Sequence, residues 1–355
     1  MTTRSRIALL TALVAAGALL AGSLPAPEAA TPAPPGRPTL DQAWPAAQRA
    51  GLRDLTVEPL LFLNATTPVG TVTAGGSVRL LIENPGGIRE LRSVPDAGEP
   101  RFDNLTAAGN NLLWTETSDG GDGGGNRPTE IWTAALDSDT PPRRLTADTG
   151  NVLFYGNQHD LVVADGRVHW AAGDNTSTEI RSVALTGGDV RVRTEKGQWA
   201  LTTWPWLTDD VGGQAGTIRM RDMTSGREQR ITATGPEWNM CSPAWCRVMV
   251  MNADGLARID MMRPDGADRR RIAGSGAQSA VTDVAVLDRF EVLSEPRPDS
   301  DVTGTAGLVV HDLVSAKTVD LARAANLAAT RDGMLWWSTG GRERAIWHTL
   351  DLRTV

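Results

Sequence analysis

Lysine is nearly missing from this chain: of 35 basic residues only Lys196 and Lys317 are lysine. That bias is the mark of a high-GC genome rather than of a nucleic-acid surface. With 42 acidic residues the formal charge is −7, and phosphate recognition wants a basic face, so no nucleic-acid partner is expected. Histidine is scarce as well. His159, His169, His311 and His348 are scattered and form no HExxH, which argues against a zinc hydrolase. No Gly-x-Ser-x-Gly elbow, phosphate loop or sialidase-type Asp box occurs. After the first thirty residues no apolar run approaches the length of a membrane span, about 20 residues. No long stretch carries an i, i+3, i+4 apolar stripe, so long amphipathic helices are excluded.

The front of the chain is an export pattern. Arg4 and Arg6 precede an apolar run from Ile7 to Ala21, and small residues follow. Ser23 stands where a lipoprotein would carry cysteine, so no lipid anchor is expected. The expected layout is a signal peptide over 1–30, a Pro/Ala-rich lead-in over 31–50 and one domain over 51–355. Removing residues 1–30 takes away two arginines and one glutamate, which leaves −8. The two cysteines, Cys241 and Cys246 in "CSPAWC", should pair in an exported chain. A ring this small would contribute roughly 2 kcal/mol by the loop-entropy model.

Internal repetition is the main signal. A short polar residue precedes an apolar one at Asn104-Leu105, Asp160-Leu161, Asn239-Met240, Asp283-Val284 and Asn326-Leu327, at gaps of 56, 79, 44 and 43. The longest gap is two periods, with Ala200-Leu201 at the missing point. The 56 is one period plus the Gly/Asp insertion "TSDGGDGGGNRP" (117–128). A second register aligns "GNNLLW", "DGRVHW" and "DGMLWW", which brings Trp114, Trp170 and Trp337 to matching places. A third repeats strand, polar turn and strand, best in "ARIDMMRPDGADRRRIA" (257–273). Short strands with turns every 8–12 residues, in units of about 40, predict an all-β, seven-bladed β-propeller. First strands fall near 62, 104, 160, 200, 239, 283 and 326.

The last unit contains three strands, and "LRDLT" (52–56) resembles the fourth-strand endings "RRLT" (143–146) and "QRIT" (229–232). Residues 52–57 are therefore expected to complete the last blade, so that an N-terminal strand closes the ring and no long open edge remains. "AWPAAQRA" (43–50) is read as no more than a helical turn.

The third register, in "MMRPDGADRRRIA" and "PPRRLT", resembles the TolB-like (WD-type) propeller repeat. With "RFDNL", "HDLVVADGRVHW" and "CSPAWCRVMV", most of residues 44–355 is similar to exported TolB-like propellers of high-GC Gram-positive bacteria. The resemblance implies fold far more than activity. TolB is a periplasmic binding protein of an envelope complex. No α/β domain is expected ahead of the propeller, a departure from TolB, and fold alone does not carry function.

Candidate sites come in two groups. Asn104, Asp160, Asn239, Asp283 and Asn326 should ring one mouth of the central channel, with His159 as the titratable neighbour. Each bonds local backbone at a turn, or together they bind a cation, a peptide end or a sugar. Trp199, Trp204 and Trp206 of "WALTTWPW" either fill space between blades or offer an aromatic surface. "DRRR" (268–271) reads as a solvated strand entry. Asp119 and Asp122 sit in a loop without the ligand spacing of a known calcium motif. No catalytic residue, metal or cofactor is assigned. The expected protein is a secreted or cell-wall-associated monomer without a transmembrane segment that binds a protein or peptide partner. The alternatives are a secreted lactonase-like or glycan-active enzyme and a glycan-binding lectin.

Overall fold

Strands covered on both faces should bury consecutive residues, and strands covered on one face should alternate. The chain does both in a fixed order. Asn111–Thr117, Arg167–Gly173 and Met334–Thr339 are each buried at five consecutive positions. The strands that follow, Thr129–Ala135 and Ser177–Ala184, alternate over much of their length. Further out, Arg191–Lys196 is exposed at all but one position. This gradient marks a sheet whose inner strands lie between neighbouring sheets while its outer edge meets solvent.

The computed structural model describes residues 36–118, 128–174, 176–210, 216–253, 255–341 and 344–355. The signal pattern of 1–30 and the segment 119–127, with Asp119 and Asp122, lie outside the described residues. From Pro38 to Val355 the chain builds seven four-stranded antiparallel sheets, the blades of a β-propeller. Blades 1 to 6 use residues 58–95, 101–146, 162–196, 200–232, 237–273 and 278–325, each in simple sequence order. Blade 7 takes three strands from 327–351. No helix among the described residues is long and apolar enough to cross a membrane.

The repeated tryptophans fill the space between blades. Trp114 packs with Leu61, Val69 and Leu80 of blade 1, Trp170 with Leu113 and Ile131 of blade 2, and Trp337 with Phe290 and Val292 of blade 6. Two of the hairpins joining first to second strands turn on Asp165-Gly166 (φ 52° and 70°) and Asp332-Gly333 (φ 50° and 80°). Paired left-handed residues give the turn whose twist matches the flanking strands, and Asp-Gly adopts it readily. The predicted disulfide is present. Cys241 and Cys246 stand directly opposite each other on the first two strands of blade 5 and are bonded.

The fourth strand of blade 7 differs from the sequence expectation. Arg49–Leu52, not 52–57, pairs with Ile346–Asp351, in the register Arg49↔Leu350 to Leu52↔Trp347. The Gln48 carbonyl also accepts the Asp351 N–H at 2.9 Å. Of "LRDLT" only Leu52 lies in the strand. Leu55 instead packs on the cluster of Phe62, Met334 and Trp336 between blades 7 and 1. Ahead of the strand, Leu40–Ala43 forms one helical turn, and Trp44 meets Phe290 edge to face at 5.8 Å.

Candidate functional site

The inner strand of blade 3 is interrupted. Residues 162–164 pair with 167–169, and Val152 bridges Ala172 on the same neighbouring strand. Residues 154–161 between these two pairings leave the sheet and enter the mouth of the channel. Asp160 shapes this excursion. Its carboxylate, 4% exposed, accepts the backbone N–H groups of Tyr155 (3.0 Å), Gly156 (2.6 Å) and Asn157 (3.2 Å). Burial raises its pKa, and those N–H groups and Arg331 pull it partly back.

The excursion reaches blades distant in the ring. The Gln158 carbonyl accepts Arg331 Nη1 at 2.9 Å, and its side-chain oxygen accepts the Asp332 N–H at 3.2 Å, both on blade 7. His159 faces Asp283 of blade 6 and Arg331. Burial lowers the imidazole pKa, with Asp283 opposing and Arg331 assisting, so His159 is neutral at pH 7. Arg331 lies among Asp332, Asp283 and Asp160. Asp332 in turn touches Thr106 and Ala107 of blade 2. Residues 156–159 thus form a plug across this mouth, bonded to blades 6 and 7.

Asp283 is held from behind by a buried ion pair. Arg247 and Glu291, 1% and 0% exposed, bond each other between blades 5 and 6. Arg247 also donates to the Asp283 carbonyl at 2.6 Å, and Glu291 accepts the Ala285 N–H at 3.0 Å. The clamp fixes a segment in which Ala285, Leu287 and Asp288 all have φ above 50°. Asp283 Oδ2 accepts the Thr330 hydroxyl at 2.7 Å, while Oδ1 has no partner.

The five Asx residues therefore do not form one ring. Asp160 and Asp283 come together with His159. Asn104 sits at a bulge with φ 53° and donates to the Thr115 hydroxyl at 3.2 Å. Asn326 is exposed and donates to the Gly340 carbonyl at 2.7 Å. Asn239 is buried within blade 5, and neither amide atom has a hydrogen-bond partner.

The three tryptophans of "WALTTWPW" do not make an aromatic platform. Trp199 is 1% exposed, with the guanidinium groups of Arg219 and Arg221 5.1 and 5.2 Å from its ring. Trp204 lies 3.8 Å from the His169 ring, and burial pushes that imidazole down to about 4. Trp206 packs against the core between blades 4 and 5. The exposed aromatic residues here are Trp238 and Tyr155, 45% and 37% exposed, while Trp204 and Trp206 are half-buried. In Glu237–Cys241 burial alternates, so the buried Glu237 and Asn239 send Trp238 and Met240 to the other side. A tryptophan between two polar residues was the available signal.

Trp238 and Tyr155 border a half-open pocket of about 390 Å³ between the plug and blades 4, 5 and 6. Leu201, Met240, Met249 and Val284 give it an apolar lining, and the Cys241 end of the disulfide reaches it. Its charged groups are Asp210 and Asp283. A second pocket, about 290 Å³, lies toward blades 1, 6 and 7 and shares Asn157, Thr282 and Asp283 with the first. Among the described residues no three His, Cys, Asp or Glu side chains gather as metal ligands.

This geometry is that of a plugged seven-bladed β-propeller with an apolar, acidic mouth. No protein family and no curated protein matches the chain in sequence. Solved structures match its fold. The uncharacterized protein lmo1340 from Listeria monocytogenes EGD-e is 10% identical, with a TM-score of 0.50 over 81% of this chain and 90% of that one. The β-propeller domain of the Trilobed protease from Pyrococcus furiosus is 9% identical, with a TM-score of 0.46 over 70% and 82%. TolB from Acinetobacter baumannii is 11% identical, with a TM-score of 0.40 over 74% of this chain and 66% of TolB. At such identities the likeness is one of fold alone.

Proposed function

We propose that this chain is an exported, non-enzymatic propeller that binds a protein or peptide partner at the cell envelope, through the mouth bordered by Tyr155 and Trp238. The observation that carries the reading is an exposed tryptophan beside a pocket in which Leu201, Met240, Met249 and Val284 stand among polar side chains, a make-up that suits a contact hot spot. The plug is tied to blades 6 and 7, so the surface is ordered before any partner arrives. The export pattern of residues 1–30 and the Cys241–Cys246 disulfide support an oxidising compartment. The direct test is capture from the envelope fraction by the wild-type chain and by Trp238→Ala. A protein retained by the first and lost by the second, at equal melting temperature, is expected. Equal retention by both would remove the mouth from the account.

His159 favours one rival. A neutral imidazole facing the Asp283 carboxylate is suited to acid–base work, as a lactonase-like or glycan-active enzyme would need. That reading requires turnover of a lactone or glycan that is lost in His159→Gln.

A further inference from the structure

The mouth pocket is bordered by a carboxylate oxygen without a hydrogen-bond partner. Asp283 is 6% exposed and lines the pocket, and its Oδ1 has no hydrogen-bond partner. A buried carboxylate oxygen without a donor is costly, and an incoming donor would recover that cost. The second acid, Asp210, lines the same pocket, and among its described lining residues there is no lysine or arginine. Two guanidinium groups lie close to Asp283: Arg331 donates to the Gln158 carbonyl and is shared among the carboxylates of Asp332, Asp283 and Asp160, and Arg247, which donates to the Asp283 carbonyl, is paired with Glu291. Neutral His159 adds no positive charge. Beside this acid lies an apolar seat of Trp238, Met240 and Met249.

A cation on an apolar stem matches both parts. The carboxylate also discriminates between the two basic side chains. Its Oδ2 already accepts the Thr330 hydroxyl and keeps one lone pair, so a bidentate guanidinium fork would have to share that oxygen with Thr330. A lysine ammonium is a point charge and needs only one oxygen. Its methylenes can lie along the indole face. On the reading that the mouth binds a protein partner, we propose that the pocket receives a lysine side chain of that partner, with its ammonium on Asp283 Oδ1 and its methylenes against Trp238.

The test uses the intact protein and small blocked probes. The indole N–H resonance of Trp238, assigned by its loss in Trp238→Phe, is followed while N-acetyl-lysinamide, N-acetyl-norleucinamide or N-acetyl-argininamide is added. Lysinamide should bind at least about 10-fold tighter than norleucinamide, the contribution of one hydrogen bond to a charged group. Argininamide should be weaker than lysinamide. Asp283→Asn, which can still accept from Thr330, should erase the difference between lysinamide and norleucinamide, and Asp210→Asn should reduce it. Equal binding of lysinamide and norleucinamide by the wild type would overturn the lysine assignment and leave the mouth as an apolar protein site. So would an unchanged preference in a folded Asp283→Asn. Argininamide binding as tightly as lysinamide would overturn the choice of lysine. No indole shift with any probe, together with Trp238→Ala that still captures its partner, would overturn the mouth reading as well.

Discussion

Arg247 and Glu291 meet between blades 5 and 6 with almost no exposed surface, and together they hold the backbone of 283–285. Removing one member strands the other charge in the interior. Arg247→Met should therefore cost about 3–5 kcal/mol in urea denaturation. A loss below about 1 kcal/mol, the ordinary worth of an exposed pair, would show that the clamp is not desolvated. Asp312 offers a pH test. Burial alone would raise its pKa, but Arg289, the Ser315 hydroxyl and the Val314 N–H override it and hold the carboxyl well below the usual range. A depressed pKa in the folded state gives stability that is complete above the unfolded pKa, about 3.9, and is lost as pH falls below it. The stability gap between wild type and Asp312→Asn should thus be full at pH 6 and shrink below about pH 4. A gap that stays constant to pH 2 would contradict the assignment. The sequence could place neither group in this way. An arginine in "CRVMV" reads as an ordinary strand residue until a carboxylate from the next blade is set against it.

At the scale of elements, repeat spacing located all seven blades, because a second strand covered on both faces is marked by an apolar run, which in blades 2, 3, 4 and 7 includes tryptophan. Spacing was weaker at the two places where the chain leaves its period. The excursion 154–161 sits inside the inner strand of blade 3, and its Asp160-Leu161 falls in the same register as the other Asx pairs, so the Asx residues could not be sorted in advance. Asp160 and Asp283 converge on it, while Asn104 and Asn326 serve local bonds. At the N-terminus the tetrapeptide match placed the edge strand three residues late. Leu55 has the same apolar character as the fourth-strand leucine, but it packs toward Phe62 and Trp336. Deleting residues 49–52 should expose the outer edge of Ile346–Asp351 and lower the melting temperature by far more than deleting 24–35. Equal melting of the two deletion variants would show that the paired strand contributes nothing to the ring.

For the whole molecule, the propeller supplies a rigid disc, and one mouth of it is both plugged and apolar. The plug bridges blade 3 to blades 6 and 7, and Trp238 and Tyr155 border the pocket beside it. A disc of this kind suits recognition of another chain. The composition agrees, since an acidic surface poor in lysine favours a partner that presents positive charge. The fold was legible because it is written seven times. The site was written once, in an eight-residue excursion and in one tryptophan placed by its polar neighbours. The most direct measurement places a photo-crosslinking p-benzoylphenylalanine at position 238 and, as a control, at the exposed Val302. After illumination in the envelope fraction, position 238 should give an adduct with one discrete protein and position 302 should not. No adduct at 238, or the same adducts from both positions, would contradict the claim that this mouth is the binding surface.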